Sequence, residues 1–251
     1  MQTRIEQIRI NLNAVQQKID EAAQKAGRAP QQVRLVVVSK AQPAEVIRDA
    51  YQAGVRDFGE NYPQEADEKI AQLADLTDVR WHMIGHLQSR KAAIIVRRFQ
   101  MMHSLDSLSL AVKLSRALAE QDKRLTVLLE VNVGGEESKF GWRGSSETEW
   151  QKLLEEFRQI SALPNLSVSG LMTMPPLWDD PHKSRPYFKL LKQLGEYLRI
   201  EMPETSWTQL SMGTSSDFET AIAEGATIVR VGSAILGARP ARNVDPPGEH
   251  Q

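Results

Sequence analysis

Lys40 stands at the exit of the apolar run Leu35-Val36-Val37-Val38, just ahead of Pro43 and a helix-like stretch. A lysine at the end of a buried strand can condense with a carbonyl compound to an imine. Its amine must then be free of its proton for part of the time, and the apolar strand supplies the desolvation that disfavours an ammonium. Two short turns, Ser211-Met212-Gly213 and Gly232-Ser233, each follow another apolar run and precede another helical pattern. Such turns leave backbone amides free for phosphate. A lone strand-end lysine is ordinarily a solvated residue, and a Ser-Gly turn is ordinarily a helix cap. One amine and two phosphate cradles at corresponding strand ends are a different matter, since together they suit a ligand carrying both an aldehyde and a phosphate. That is the chemistry of pyridoxal phosphate.

Arg230 lies in Ile228-Val229-Arg230-Val231-Gly232, where a period of two places it on the face of Ile228 and Gly232. If Gly232 faces a ligand, so does Arg230. A guanidinium inside a barrel needs a partner, either a structural carboxylate or the pyridine nitrogen of the cofactor. In the second case the ring stays neutral, because an arginine cannot hand it a proton, and the ring is a weaker electron sink. His82 and His86 flank Ile84-Gly85, but Gly85 implies a turn and no third ligand with suitable spacing is present, so no metal is expected. No Gly-x-Ser-x-Gly elbow follows any strand, which leaves Ser/His/Asp hydrolysis without its nucleophile turn.

The elements that must position these residues follow from hydrophobic period. Ile5, Ile8, Leu12, Val15, Ile19 and Ala22 fall in steps of three and four, predicting a leading helix that stops at Gly27 and docks on the body of the domain. Eight units of a short β-branched run followed by an amphipathic segment come next. The strands are expected at Leu35–Ser39, Asp57–Gly59, Trp81–Ile84, Met101–Ser104, Thr126–Val133, Ser167–Leu171, around Gln209–Leu210 and at Thr227–Val231. Helix openings are expected at Ser107, Ser146 and Ser216. Eight βα units in 251 residues argue for a single closed (β/α)8 barrel, a TIM barrel, with an open doubly wound sheet as runner-up. The expected division is a leading helix over 1–28, the barrel over 29–238 and a mobile polar tail over 239–251. In a parallel barrel all strand ends face one side, so Lys40, Asn61, Met172, Ser211 and Gly232 converge although they are far apart in the chain.

Composition narrows the alternatives. A formal net charge of −1 gives no electrostatic footprint for nucleic acid. The absence of cysteine removes disulfides, thiolate metal sites and thiol nucleophiles. The charged start Met1-Gln2-Thr3-Arg4-Ile5-Glu6 is unlike a secretory signal, and no apolar stretch reaches the roughly 20 residues of a membrane span, so a soluble, cytoplasmic protein is expected. A short chain without an exposed apolar segment is compatible with a monomer.

The motifs Val37-Val38-Ser39-Lys40, Phe58-Gly59-Glu60-Asn61-Tyr62, Trp81-His82-Met83-Ile84-Gly85-His86-Leu87-Gln88, Val131-Asn132-Val133-Gly134-Gly135-Glu136-Glu137-Ser138-Lys139, Gly170-Leu171-Met172, Leu210-Ser211-Met212-Gly213-Thr214-Ser215-Ser216 and Val229-Arg230-Val231-Gly232-Ser233 jointly resemble one family. It is that of the pyridoxal-phosphate homeostasis proteins, also called the proline-synthase co-transcribed or YggS-type family. The resemblance runs from the leading helix to about Gly237. It implies the barrel of the alanine racemase N-terminal domain, the fold-type III architecture of pyridoxal-phosphate proteins. It further implies Lys40 as the imine lysine, Ser211, Gly213, Gly232 and Ser233 as phosphate holders, Arg230 at the pyridine nitrogen, and Asn61 and Met172 around the ring. Pro63, Arg90 and Thr214 depart from the family's more common residues and put only loop details in doubt. Alanine racemase takes a second acid/base group from a further β-rich domain, for which no room is expected here. The resemblance therefore implies a non-catalytic carrier or regulator that influences amino-acid and keto-acid balance, with apo pyridoxal-phosphate enzymes or regulatory proteins as candidate partners. A small racemase or lyase is the alternative, and a phosphate-handling barrel enzyme without an aldehyde cofactor is a third.

Overall fold

A computed structural model of the chain describes residues 2–137 and 139–239. The helix α1 (Arg4–Lys25) starts in a capping box, in which the Thr3 hydroxyl accepts from the Glu6 amide and the Glu6 carboxylate accepts from the Thr3 amide. Its stripe Ile8, Val15, Ile19 and Ala22 is buried, and the helix ends as Gly27 turns to φ 68°. The stripe packs against the later helices α8 (Phe218–Ala223) and α9 (Ser233–Leu236), and against α2 (Ala44–Gln52). That is the docking predicted from its period.

The strands are β1 (Arg34–Val38), β2 (Asp57–Glu60), β3 (Arg80–Met83), β4 (Met101–Leu105), β5 (Leu125–Asn132), β6 (Trp142–Arg143), β7 (Leu166–Met172), β8 (Gln209–Ser211) and β9 (Ile228–Val231). Every pairing is parallel, in the order β4-β3-β2-β1-β9-β8-β7-β5-β6, and β4 also pairs with β5. All the strands but β6 therefore form a closed ring. The in-register pairing of Arg34–Val37 with Ile228–Val231 joins the first strand to the last and excludes the open sheet. β6 is a two-residue addition to the outer edge of β5, too short to show any period in sequence.

Remaining helices are α3 (Pro63–Gln72), α4 (Ala92–Arg98), α5 (Leu108–Ala119), α6 (Glu147–Ser161) and α7 (Arg185–Glu201). Ser107 and Ser146 cap α5 and α6 as expected, each accepting from the third residue on. Ser216 does not cap α8. The N-cap there is Asp217, whose Oδ1 takes the Thr214 amide at 2.7 Å, so Thr214-Ser215-Ser216 forms a separate turn ahead of the helix. The barrel encloses an apolar layer of Val36, Met101, Leu128, Met172 and Ile228, and the larger core lies between the strands and the helices. Of the segment expected to be a polar tail, Arg239 is described, and the remainder lies outside the described residues. Among the described residues no helix is long and apolar enough to cross a membrane.

Candidate functional site

The C-terminal ends of the strands open into a cavity of about 460 Å³. Of the residues singled out in sequence, Lys40, Asn61, Arg230, Gly232 and Ser233 line it. Met172, Ser211 and Gly213 are not on its wall. Met172 belongs to the apolar layer inside the barrel, and Gly213, at φ 92°, turns the chain out of β8. A Cβ on Gly213 would lie 2.6 Å from that of Ala221, so glycine is required there for close packing on α8. Thr214, Ser215 and Ser216 line the cavity in place of Ser211 and Gly213, with Val38, Ile84, Met174, Leu177 and Arg239 completing it. The departure at Thr214 is therefore a change in the wall itself.

Lys40 follows β1 by two residues, and a buried polar network fixes that exit. Ser39 is fully buried and donates from Oγ to Glu60 Oε1 at 2.7 Å. Lys69 of α3 reaches in to the Ser39 carbonyl at 3.0 Å, Glu60 Oε1 at 2.6 Å and Glu65 Oε1 at 2.8 Å. Glu65 Oε1 also accepts from the Ala41 amide at 2.7 Å, holding Ala41 at φ 58°, a conformation unusual for alanine. Lys40 thus sits between two residues pinned from behind. Burial lowers the pKa of its ammonium, the Arg239 and Arg230 guanidinium charges lower it further, and Glu60 opposes them. Burial likewise raises the Glu60 carboxyl against the pull of Lys69 and Ser39, and its Oε2 has no partner.

Arg230 points into the barrel, as its period predicted, and is almost fully buried. It donates through Nη1 to Ser211 Oγ at 2.5 Å, and through Nη2 to the Thr173 carbonyl at 3.0 Å and Met174 Sδ at 2.9 Å. Burial lowers its pKa to about 10, which still leaves it cationic at neutral pH. Ser211 Oγ lies 2.8 Å from His103 Nδ1, His103 Nε2 lies 2.9 Å from His82 Nδ1, and His82 Nε2 lies 3.0 Å from Asp57 Oδ1. This chain went unread in the sequence, although its members are polar residues spaced along strands that the apolar layer shows to be interior. His82 and His86 point apart, since His86 binds Asp106 at 2.7 Å. Glu130 completes the interior. Burial and then the Asp106 charge push its carboxyl up to about 7 against Arg230 and Lys139, and its Oε2 has no partner.

The wall suits a phosphorylated aldehyde. Neither the Ser215 nor the Ser216 amide has an acceptor among the described residues, and both residues line the cavity. Ser215 Oγ accepts from the Gly232 amide at 3.3 Å, which ties the two loops together. A Cβ on Gly232 would stand 3.0 Å from the Val38 carbonyl, so the chain can pass this close to β1 only as glycine. Asn61 Oδ1 is buried without a partner at the opposite side of Lys40 from these loops in the strand order. A buried acceptor left unpaired costs about 1–3 kcal/mol and is the kind of vacancy that a ligand donor fills.

Comparison with known proteins agrees with this geometry. The family model described as "Alanine racemase, N-terminal domain" matches residues 10–240. The pyridoxal phosphate homeostasis protein of Pseudomonas aeruginosa is 44% identical over 229 residues, covering 91% of this chain and 94% of the relative. That of Aquifex aeolicus is 42% identical over 228 residues, covering 91% and 96%. Among solved structures, PipY of Synechococcus elongatus with pyridoxal phosphate bound superposes with a TM-score of 0.80 at 37% identity, covering 92% of this chain and 100% of that one. Alanine racemase of Clostridium difficile shares the fold at a TM-score of 0.67 and 16% identity, with 94% of this chain matching 58% of that one. A chain that covers nearly the whole length of relatives so similar belongs to the family of pyridoxal phosphate homeostasis proteins, built on the barrel of the alanine racemase N-terminal domain.

Proposed function

We propose that this protein binds pyridoxal 5'-phosphate at Lys40 and holds it reversibly in the cytoplasm as a carrier or regulator of its supply, without turning over a substrate. The observation that carries the reading is the placement of Lys40: a partly desolvated amine on the wall of the cavity that the loops Thr214–Ser216 and Gly232-Ser233 also line. When bound, the cofactor supplies an aldehyde that condenses with an amine, losing water. Lys40 is the amine, its proton loosened by burial and by Arg230 and Arg239. Ser215, Ser216, Gly232 and Ser233 are assigned to the phosphate. Ser211 is assigned a place behind Arg230, whose guanidinium it accepts from at 2.5 Å. Arg230 keeps its proton at neutral pH, so a ring nitrogen facing it stays unprotonated.

The same wall supports a holding role. The described residues lining the cavity include no histidine, carboxylate or phenol, so Lys40 is the one candidate general base among them. Racemisation needs a base on one face and an acid on the other. Only one such group lines this cavity among the described residues.

Addition of pyridoxal 5'-phosphate to the protein should give a visible absorption band. Borohydride should remove that band and leave the vitamer covalently on the peptide containing Lys40. Lys40→Ala should lose the band and the adduct while keeping weaker, non-covalent binding through the two loops. A band of equal strength in Lys40→Ala contradicts the assignment.

A further inference from the structure

The barrel has a second opening, at the N-terminal ends of its strands. There a cavity of about 330 Å³ is lined by Arg34, Arg80, His82, Gln100, Thr126, Ser169 and Gln209, with Met101 as its one apolar side chain. None of these residues touches the Lys40 cavity.

The lining is rich in donors. Gln100 Oε1 already accepts from the Trp81 amide at 2.7 Å, and Gln209 Oε1 from Thr227 Oγ1 at 3.0 Å. Each carboxamide therefore has its oxygen occupied and its NH2 group without a partner among the described residues. Ser169 Oγ is buried and unpartnered. The Arg34 amide donates to the Thr227 carbonyl at 2.8 Å, but its guanidinium makes no hydrogen bond or ion pair among the described residues. Arg80 grips Asp57 at two points, Nε to Oδ1 at 2.8 Å and Nη2 to Oδ2 at 2.5 Å. Asp57 is the acid at this opening, and Arg80 and His82 already occupy it: burial pulls its carboxyl up, but their hydrogen bonds and charges hold it well below the usual carboxylate range. An uncommitted guanidinium, two amide NH2 groups and a buried hydroxyl are complementary to a small oxyanion.

We propose that this cavity binds a small carboxylate or phosphate anion at Arg34, and that its occupancy reaches Arg230 along Asp57, His82, His103 and Ser211. The proposal goes beyond the function assigned above and does not depend on it.

The hydrogen bonds set the direction of the connection. The Asp57 carboxylate accepts from His82 Nε2–H, which leaves His82 Nδ1 to accept from His103 Nε2–H. His103 Nδ1 then accepts from the Ser211 hydroxyl, whose oxygen accepts from Arg230. All donors point one way, and both imidazoles are neutral. Burial keeps both histidines below their ordinary value. For His82 the hydrogen bond and charge of Asp57 oppose burial, while Arg34 and Arg80 push further down; for His103 the charges of Arg230 and Arg34 add to burial, and a proton on His82 would add more. An anion at Arg34 cancels part of that push from below. It makes His82 a better base, and the altered polarity passes through His103 and Ser211 to the guanidinium at the other end.

The test is nitrogen NMR of the full chain labelled with [15N]histidine, without vitamer, at constant ionic strength. Sodium phosphate is titrated in one arm and sodium succinate in the other. Saturable shifts of both the His82 and His103 ring nitrogens are expected, and Arg34→Ala should weaken the apparent affinity about tenfold or more, the scale of one charge-assisted hydrogen bond. Ser169→Ala, which removes a hydroxyl without creating a charge, should weaken it less, and unchanged melting midpoints should show both variants folded. A response in one arm alone supports the site and identifies the anion class. No saturable shift in either arm, or an equal response in folded Arg34→Ala, overturns the site. A shifted His82 beside an unshifted His103 overturns the connection. Because no vitamer is present, each failure leaves the Lys40 reading to its own test.

Discussion

Glu130 shows how a single residue inside the barrel makes itself felt in bulk properties. Its carboxyl is almost buried, has an unpartnered oxygen and is held up to about 7 from an ordinary 4.5. The unfolded chain releases this proton at the lower value and the folded chain at the higher one, so folding takes up a proton in between. Stability then falls as pH rises from 4.5 to about 7, and the full penalty, on the order of 3 kcal/mol, persists above. Glu130→Gln should be more stable than the parent at pH 8 and should lose that excess toward pH 4.5, as read from urea unfolding at a series of pH values. The comparison must be made against the parent at each pH. His82 and His103 act in the opposite sense, since a buried neutral histidine loses stability as pH falls through its ordinary range. A difference between variant and parent that is flat with pH would remove Glu130 as the source.

At the scale of elements, Lys40 depends on how α3 is fastened to the exits of β1 and β2. Lys69 crosses from the helix to Glu60, Glu65 and the Ser39 carbonyl, and both Lys69 and Glu60 are buried. Removing one member of such a pair strands the other charge at a cost of about 3–5 kcal/mol, whereas replacing both by neutral groups is far less costly. Lys69→Met should therefore lower stability by that order, and adding Glu60→Gln should restore a good part of it. Denaturant unfolding of the four species gives the coupling energy directly. Simple additivity of the two changes would mean that the pair is not what fastens the helix. The elements themselves were largely legible in the sequence, because the strand and helix periods and the Ser107 and Ser146 caps are local signals. Ser216 was misread as a cap, since serine and aspartate suit that position equally well and the choice of Asp217 rests on its bond to the Thr214 amide.

For the whole molecule the question is whether the barrel holds a cofactor or works with it. With Lys40 the one candidate general base among the described residues of the cavity wall, incubation with single amino-acid enantiomers in deuterated water should give no α-hydrogen exchange above that of free pyridoxal phosphate. Appreciable exchange at catalytic protein concentrations, followed by proton NMR, would establish an enzyme instead. The βα rhythm, the placement of Lys40 at a strand end and the inward face of Arg230 were determined by the chain's own periodicity, since each depends on residues within a few positions of one another. Tertiary structure alone decided that Ser211 stands behind Arg230, that Thr214, Ser215 and Ser216 line the cavity, and that Asp57, His82, His103, Ser211 and Arg230 join across the interior. Those contacts link β2, β3, β4, β8 and β9. They exist only because closure and register bring distant strands to common levels, which no local pattern in the sequence encodes.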